Sequence, residues 1–541
     1  MLALRSVGLN FRPYQSFTYR SSSGIQVAPL GRTRSTIGSR SSIWLDSNIL
    51  DTIYATATPI GIKSAIAIVR VEGPLALKTY QQLTTSTKSA EPLLESSTLN
   101  EDITPPPHGK AILRRVVCPE TKETIDPEAI VLRFDHKQHS QTSTVEFHLH
   151  GSPAVVRALL STLSRLDGLR PARAGEFTQR RFERIGGCER NIDRLLGLKS
   201  LIDSETEEQR KYALRRFDGN FKSTYQLLRN KLLNAMSLCE AIIDFSEDGQ
   251  IEEQRVWQQV KVQVRELSET IMESLSELGR TEKVSNGIRI SIFGKPNVGK
   301  STFLNHLVDR EASIVSPYPG TTRDIVEISM DFHGFPVIIS DTAGIRTTSD
   351  PVEKIGVERA QKNISQADIR LHLVSISDLE DSLTAESVSK FNRFSSSDMI
   401  LLTKSDLVPV SKVQELTQNC SKTIKKPVFP ISVHNQSGIS KFISELQAKL
   451  NLDYGSNRSD STVTFANVYH KDCLLRISGH LKNFLNSLEN DGTEETIDIV
   501  ILIEELRLAA GLLGELSKGR TDEILNEEIL GKIFQSFCIG K

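Results

Sequence analysis

Apolar positions change their period along the chain, and the changes divide it. Between Thr52 and Val71 short apolar runs, the clearest over 65–69, end at Arg70 and break at Gly73-Pro74, which predicts strands. A loop around Pro105 and Pro107 precedes two more predicted strands, 129–134 and 145–150. From about Lys199 the period becomes helical. Phe221, Tyr225, Leu228, Leu232, Met236 and Cys239 recur at three- and four-residue steps and line one face. Trp257, Val260, Val264, Leu267, Ile271, Leu275 and Leu278 do the same, and both stripes suit a core. At Gly279 strand, loop and helix begin to alternate, and they continue to about Leu452. A polar stretch, 453–461, closes that region before helical spacing resumes at Ile499, Leu502, Leu506, Ala510 and Leu513. The pattern predicts an α/β domain inserted into a helical one, whose two halves pack together across the insertion.

Composition adds limits. A chain of 541 residues exceeds one ordinary core, and 38% hydrophobic with 25% charged residues is globular. No uninterrupted apolar run approaches the roughly 18 residues that would span a bilayer. Six cysteines stand singly (Cys118, Cys188, Cys239, Cys420, Cys473 and Cys538), so neither a disulfide framework nor a zinc site is expected. The first five are expected to be small buried hydrophobes. Net charge is −1, but residues 1–45 hold six arginines and many serines without an acid, Asp46 being the first. That composition predicts an organelle transit peptide over 1–45, with the mature chain beginning near Asp46. Removing the leader leaves 60 basic against 67 acidic residues, so any nucleic-acid contact must be a local basic patch.

The most specific chemistry follows a predicted strand at 288–293, which runs into Gly294-Lys295-Pro296-Asn297-Val298-Gly299-Lys300-Ser301. This is phosphate-loop spacing: backbone N–H groups and a helix N-terminus cradle phosphates, Lys300 reaches the β- and γ-phosphates, and Ser301 supplies an oxygen to Mg²⁺. Thr302 joins the nucleotide-binding set. A second strand ends in Asp341-Thr342-Ala343-Gly344, where Asp341 suits the magnesium shell and the Gly344 N–H suits the γ-phosphate. Between the two, Gly320-Thr321-Thr322-Arg323-Asp324 offers the Thr322 hydroxyl as second protein ligand to Mg²⁺. A third strand delivers Thr403-Lys404-Ser405-Asp406, whose Asp406 carboxylate matches the N1–H and amine donors of guanine. Ser432-Val433 then offers a backbone N–H to guanine O6. Four motifs in order, each after its own strand, specify GTP. Ile345 stands where a Ras-like enzyme has its water-orienting glutamine, so hydrolysis needs another group. Thr403 stands where most such proteins have asparagine, which is expected to cost some guanine affinity.

With these motifs the chain resembles the MnmE/TrmE family of tRNA-uridine-modifying GTPases, in mitochondrial form, from about Asp51 to its last residue. Asp51-Thr52-Ile53 through Arg70 resembles the family's opening strand, and Arg170-Pro171-Ala172 with Gly175-Glu176-Phe177-Thr178 its second block. Asp244-Phe245 matches the end of the first helical half, and the tail Phe537-Cys538-Ile539-Gly540-Lys541 matches the family's ending. The resemblance implies an α+β folate-binding domain, a helical domain, and an α/β P-loop GTPase domain inserted into it. Expected boundaries are 46–184 for folate binding and dimerisation, 185–284 and 454–541 for the helical halves, and 285–453 for the GTPase domain.

It further implies a homodimer that acts with an FAD-containing partner on mitochondrial tRNA in the matrix. The activity implied is placing a carboxymethylaminomethyl-type group (taurinomethyl in some mitochondria) at C5 of the wobble uridine. Arg70, Glu146 and Lys541 would contact a reduced folate, 5-formyl- or methylene-tetrahydrofolate, and Cys538 would join the modification chemistry or pack the tail. Potassium would be held by Asn297, Ser316, Tyr318 and Thr321, with Glu353 orienting water and Lys300 and Asn297 completing the catalytic set. Gly186 departs from the family, which carries a folate-contacting lysine there; residues 136–144 and 183–194 are also atypical. Arginines between Arg170 and Arg194 could meet tRNA phosphates, but interleaved acids favour a salt-bridged helix face. The competing functions are a mitochondrial ribosome-assembly GTPase and a GTP-dependent binding protein with a decayed folate site.

Overall fold

The computed structural model describes residues 51–86, 104–136, 142–184, 192–218, 221–245, 253–314, 327–341, 363–378, 398–424, 426–456, 468–489, 499–518, 535–537 and Gly540. The expected leader and residues 137–141 lie outside them. Strand patterning near the amino terminus becomes one seven-stranded sheet. Its strands are β1 (Thr52–Thr56), β2 (Ile66–Gly73), β3 (Thr84–Thr85), β4 (Ile112–Val117), β5 (Thr124–Asp135), β6 (Ser143–His150) and β7 (Leu169–Pro171), in the order β3-β4-β5-β6-β2-β1-β7. Alternation gives each strand two faces. Val69, Val71, Val131, Val145 and Phe147 pack with Tyr80, Leu83, Leu159 and Leu163 of the helices α1 (Ala76–Leu83) and α2 (Pro153–Leu163). Pairing of β2 with β6 sets Arg70 opposite Glu146 on the other face. A third helix, α3 (Glu176–Arg184), is fixed at its start by charge: Arg170 reaches Asp51 at 2.6 Å and Glu176 at 2.5 Å, while Arg180 reaches both acids. Arg170 and Arg180 are thus salt-bridged.

Helices α4 (Ile192–Ile202), α5 (Glu207–Asp218), α6 (Phe221–Phe245) and α7 (Glu253–Asn286) follow. The inserted domain comes next: β8 (Ile288–Gly294), α8 (Lys300–Glu311), β9 (Ala312–Ile314), β10 (Glu327–Phe332), β11 (Phe335–Asp341), β12 (Ile369–Ser375), β13 (Met399–Thr403), α9 (Val410–Ile424), β14 (Val428–Pro430) and α10 (Ile439–Tyr454). Its sheet runs β14-β13-β12-β8-β11-β10-β9, parallel from β14 to β11. The parallel strands therefore end on one edge, where open α/β sheets bind ligands.

After the insertion, α11 (Val468–Glu489) and α12 (Ile499–Lys518) return to the helical domain. Leu228, Leu232 and Cys239 of α6, Val260, Val264 and Ile271 of α7, Ile477 and Leu481 of α11, and Leu506 and Leu513 of α12 form one core. The two halves do pack across the insertion. Of the five cysteines expected to be small buried hydrophobes, Cys118, Cys239, Cys420 and Cys473 are free and buried, and Cys188 lies outside the described residues. Burial raises the Cys239 thiol to about 12 and Cys420 to about 11, so neither is a ready nucleophile.

Helix α5, which sequence assigned to the helical half, also serves the inserted domain. Tyr212 lies in that domain's core, and its hydroxyl donates to the carbonyl of Tyr454 at 3.1 Å. The Glu208 N–H donates to Gly334 O at 3.0 Å in the β10–β11 turn, and its carboxylate accepts from the buried Ser456 N–H at 2.9 Å. Gln209 donates to Val284 O at 3.3 Å. Both ends of the insertion are thus fastened to one helix.

Candidate nucleotide and tail sites

The phosphate loop starts where β8, held between β11 and β12, runs out at Gly294. A Cβ there would come within 2.2 Å of Leu373 O on β12, so only glycine fits. Asn297 at φ 63° and Gly299 at φ 96° then turn the chain so that α8 opens at Lys300. Alternating handedness of this kind aims successive N–H groups into one concavity. Lys300 is 7% exposed, and its ammonium donates to the carbonyls of Gly294 at 3.1 Å and Lys295 at 3.0 Å. Ser301 and Thr302 follow on the exposed first turn of α8.

Asp341 closes β11 in register with Ile292 of β8, which puts its backbone beside the loop. Residues 315–326 and 342–362 lie outside the described residues, and with them Ser316, Tyr318, Thr321, Thr322, Thr342, Ala343, Gly344 and Glu353. Among the described residues no group of His, Cys, Asp and Glu is arranged to hold a metal ion. The expected magnesium and potassium sets draw instead on hydroxyl, amide and backbone oxygens, and of their residues Ser301 and Asn297 are among the described ones.

The residues expected to read the base meet on the same edge. Lys404 takes a left-handed φ of 58°, and Asp406 follows in the 3₁₀ turn Ser405–Leu407. The Ser432 hydroxyl donates to Asp406 Oδ1 at 2.5 Å and holds that carboxyl below the usual carboxylate range. The Ser432 N–H donates to Ser437 O at 3.0 Å and is thus engaged within its own turn. Thr403 is bonded to the phosphate loop. Its hydroxyl donates to Val298 O in the phosphate loop at 2.7 Å, with Val374 O at 3.3 Å.

A second cluster forms on the amino-terminal sheet. Arg70 Nε donates to Glu146 Oε1 at 3.0 Å, and His148 Nε2 lies 3.3 Å from the other carboxylate oxygen. The Arg70 guanidinium carbon sits 5.4 Å from the centroid of the Phe177 ring, and Nη1 donates to Gly540 O at 3.3 Å. Gly540 has φ 94°, and a Cβ there would fall 1.9 Å from Thr56 O. Phe537 packs with Leu195 and Phe182. The tail therefore lies directly on β1. Gly186, Cys538 and Lys541 are outside the described residues. His148 and Phe177 were missed by the sequence reading, although period 2 from Glu146 and the Gly-Glu-Phe-Thr block point to them.

Strand order, phosphate loop and the Thr403–Asp406 segment define a P-loop GTPase domain. The chain belongs to the MnmE/TrmE family: residues 196–538 match the MnmE helical domain, and 52–185 match the GTP-binding protein TrmE N-terminus. It is 34% identical over 502 residues to the mitochondrial 5-taurinomethyluridine-[tRNA] synthase subunit GTPB3 of Danio rerio, covering 91% of this chain and 93% of that protein. It is 34% identical over 482 residues to the tRNA modification GTPase MnmE of Rhodopseudomonas palustris (strain BisB18), covering 88% and 96%. To the mitochondrial tRNA modification GTPase gtpbp3 of Dictyostelium discoideum it is 32% identical over 520 residues, covering 92% and 96%.

Proposed function

We propose that this chain is the GTP-hydrolysing subunit of a mitochondrial enzyme that modifies C5 of the tRNA wobble uridine. The observation that carries this reading is one chain holding two sites: a nucleotide edge, and a family tail laid against Arg70, which is itself bonded to Glu146. The full-length likeness to mitochondrial tRNA-modifying relatives supports it over ribosome assembly. In this reading the acid-free leader directs import into the matrix, the chain acts as a homodimer, and an FAD-containing partner completes the enzyme.

At the nucleotide edge, Lys300 exchanges its loop carbonyls for the β- and γ-phosphates, and Asp406 with Val433 reads guanine. Water attacks the γ-phosphorus, the bond to the β,γ-bridging oxygen breaks, and GDP leaves; Glu353 orients the water. Ser301 and Thr322 would hold magnesium, and Asn297, Ser316, Tyr318 and Thr321 potassium; the ions would supply positive charge against the phosphates, a role that an arginine finger fills elsewhere for about 10³–10⁵ in rate. At the tail site Glu146 accepts from the pterin donors of a reduced folate, while Arg70 and Lys541 meet its oxygens or glutamate tail. A folate held there would supply the one-carbon unit. Cys538 stands beside this site in sequence and is a candidate for the modification chemistry.

Reconstitution tests the reading. The purified chain, its FAD-containing partner, a reduced folate and unmodified tRNA should give a C5-modified wobble uridine only with GTP, and faster in potassium than in sodium. Modification that proceeds equally without GTP would refute it.

A further inference from the structure

Glu146 sits on β6 between Arg70 of β2 and Leu132 of β5, with its side chain 14% exposed. An ionised carboxylate accepts at about four lone-pair positions, two on each oxygen. Both positions of Oε1 are taken by Arg70, whose Nε and Nη2 donate to it at 3.0 and 2.9 Å. A ligand that donates to Glu146 must therefore come to Oε2. There His148 stands, with Nε2 at 3.3 Å. A carboxylate oxygen is only an acceptor, so the imidazole holds this place as a donor, with a proton on Nε2. Period 2 puts His148 on the same face as Glu146, and its side chain is 22% exposed. Its neighbours across the sheet are Ile68 and Ile130, the latter exposed, so no packed core stops the ring from turning. Among the described residues, the charged and titratable groups around the ring are Arg70 on β2, Glu146 and His150 on β6, and Glu128 on β5, two residues from Ile130. The His150 imidazole is turned instead to the fully buried Asp126, at 3.0 Å.

We propose that His148 is a positioning residue that controls access to Glu146: it donates to Oε2 while that oxygen is empty, and it withdraws for the pterin donors of a folate to take its place. This rests on the folate reading above and adds a proton linkage to it. A protonated imidazole carries N–H on both nitrogens and stays on the carboxylate. A neutral one can carry its single proton on Nδ1, and the bare Nε2 is then repelled by Oε2. Protons thus favour the closed arrangement, and folate binding strengthens as the imidazole becomes neutral.

Titration of the full chain with 5-formyl-tetrahydrofolate from about pH 8 to about pH 6 tests this, a range in which imidazoles change charge and carboxylates stay ionised. Wild-type affinity should fall about tenfold toward the lower pH, the loss expected of one charge-assisted contact that the ligand must displace. His148→Leu should bind at least as tightly as wild type at the higher pH and show no such fall. His150 and Glu128 remain in that variant, so a pH dependence of their making would persist in it. Should thermal unfolding show that His148→Leu is not folded, His148→Val takes its place. Wild-type affinity that ignores pH, or an equal fall in the leucine variant, would overturn the proposal. So would weaker binding by that variant at both pH values, since His148 would then support Glu146 rather than occupy it. Glu146→Gln that binds as tightly as wild type, or a chain that binds no folate, would instead refute the folate reading beneath the proposal.

Discussion

The guanidinium of Arg70 donates to the carbonyl of Gly540, so residues 470 apart in sequence meet at 3.3 Å. The contact holds the end of the chain on the sheet that carries Glu146. If the proposed folate site lies here, the tail is part of it, and a change in the tail should be felt there first.

Gly540→Ala tests that relation. The added carbon would fall 1.9 Å from Thr56 O, at a φ of 94° that alanine rarely adopts, so the tail must lift away from Arg70. Titration with 5-formyl-tetrahydrofolate should show binding weakened about tenfold, as for one lost charge-assisted contact. GTP hydrolysis by the chain alone should be unchanged.

Asp406 should control base choice. Replacing its carboxylate with the Asp406→Asn amide turns one acceptor into a donor, and preference should pass from GTP to XTP in competition binding. The Ser432 hydroxyl depresses the Asp406 pKa, so wild-type GTP affinity should persist through the ordinary carboxylate range and fall only below it. In Ser432→Ala the fall should begin at higher pH.

His372 is stacked on Phe293, with ring centroids 4.6 Å apart, and burial lowers its pKa to about 4. The unfolded chain therefore binds a proton at this position before the folded chain does. Stability from the neutral imidazole is complete above the unfolded value of about 6.5 and is lost as pH falls toward 4, at roughly 1.4 kcal/mol per unit. Urea unfolding of His372→Phe against wild type should show a difference that shifts in the variant's favour across that window. A difference independent of pH would remove the buried histidine from the account.

Helix α5 should hold the insertion in place. Glu208→Ala deprives the buried Ser456 N–H of its acceptor and should cost about 1–3 kcal/mol. Tyr212→Ala removes an aromatic ring from the inserted domain's core and should cost more, about 3–5 kcal/mol. Chemical denaturation should show both losses, with the inserted domain melting apart from the helical core in Tyr212→Ala.

What the sequence made legible follows from distance along the chain. Each nucleotide motif directly follows its own strand, so the residue order of Gly294 to Ser301 and Thr403 to Asp406 already implies a shared edge once the strands run parallel. The stripes of α6, α7 and α12 were legible because a helix repeats its face every three to four residues. Arg70 and Glu146 became candidates only through the family resemblance, since neither alternation nor charge distinguishes them from surface residues. The Thr403 bond to Val298, the Ser432 bond to Asp406 and the grip of Glu208 and Tyr212 depend on contacts between distant segments. No local pattern encodes them.

Nucleoside mass spectrometry of mitochondrial tRNA tests the central claim most directly. In cells deleted for this chain the C5-modified wobble uridine should disappear from the tRNAs that carry it, and re-expression of wild type should restore it. Unchanged modified uridine in the deleted cells would contradict the account.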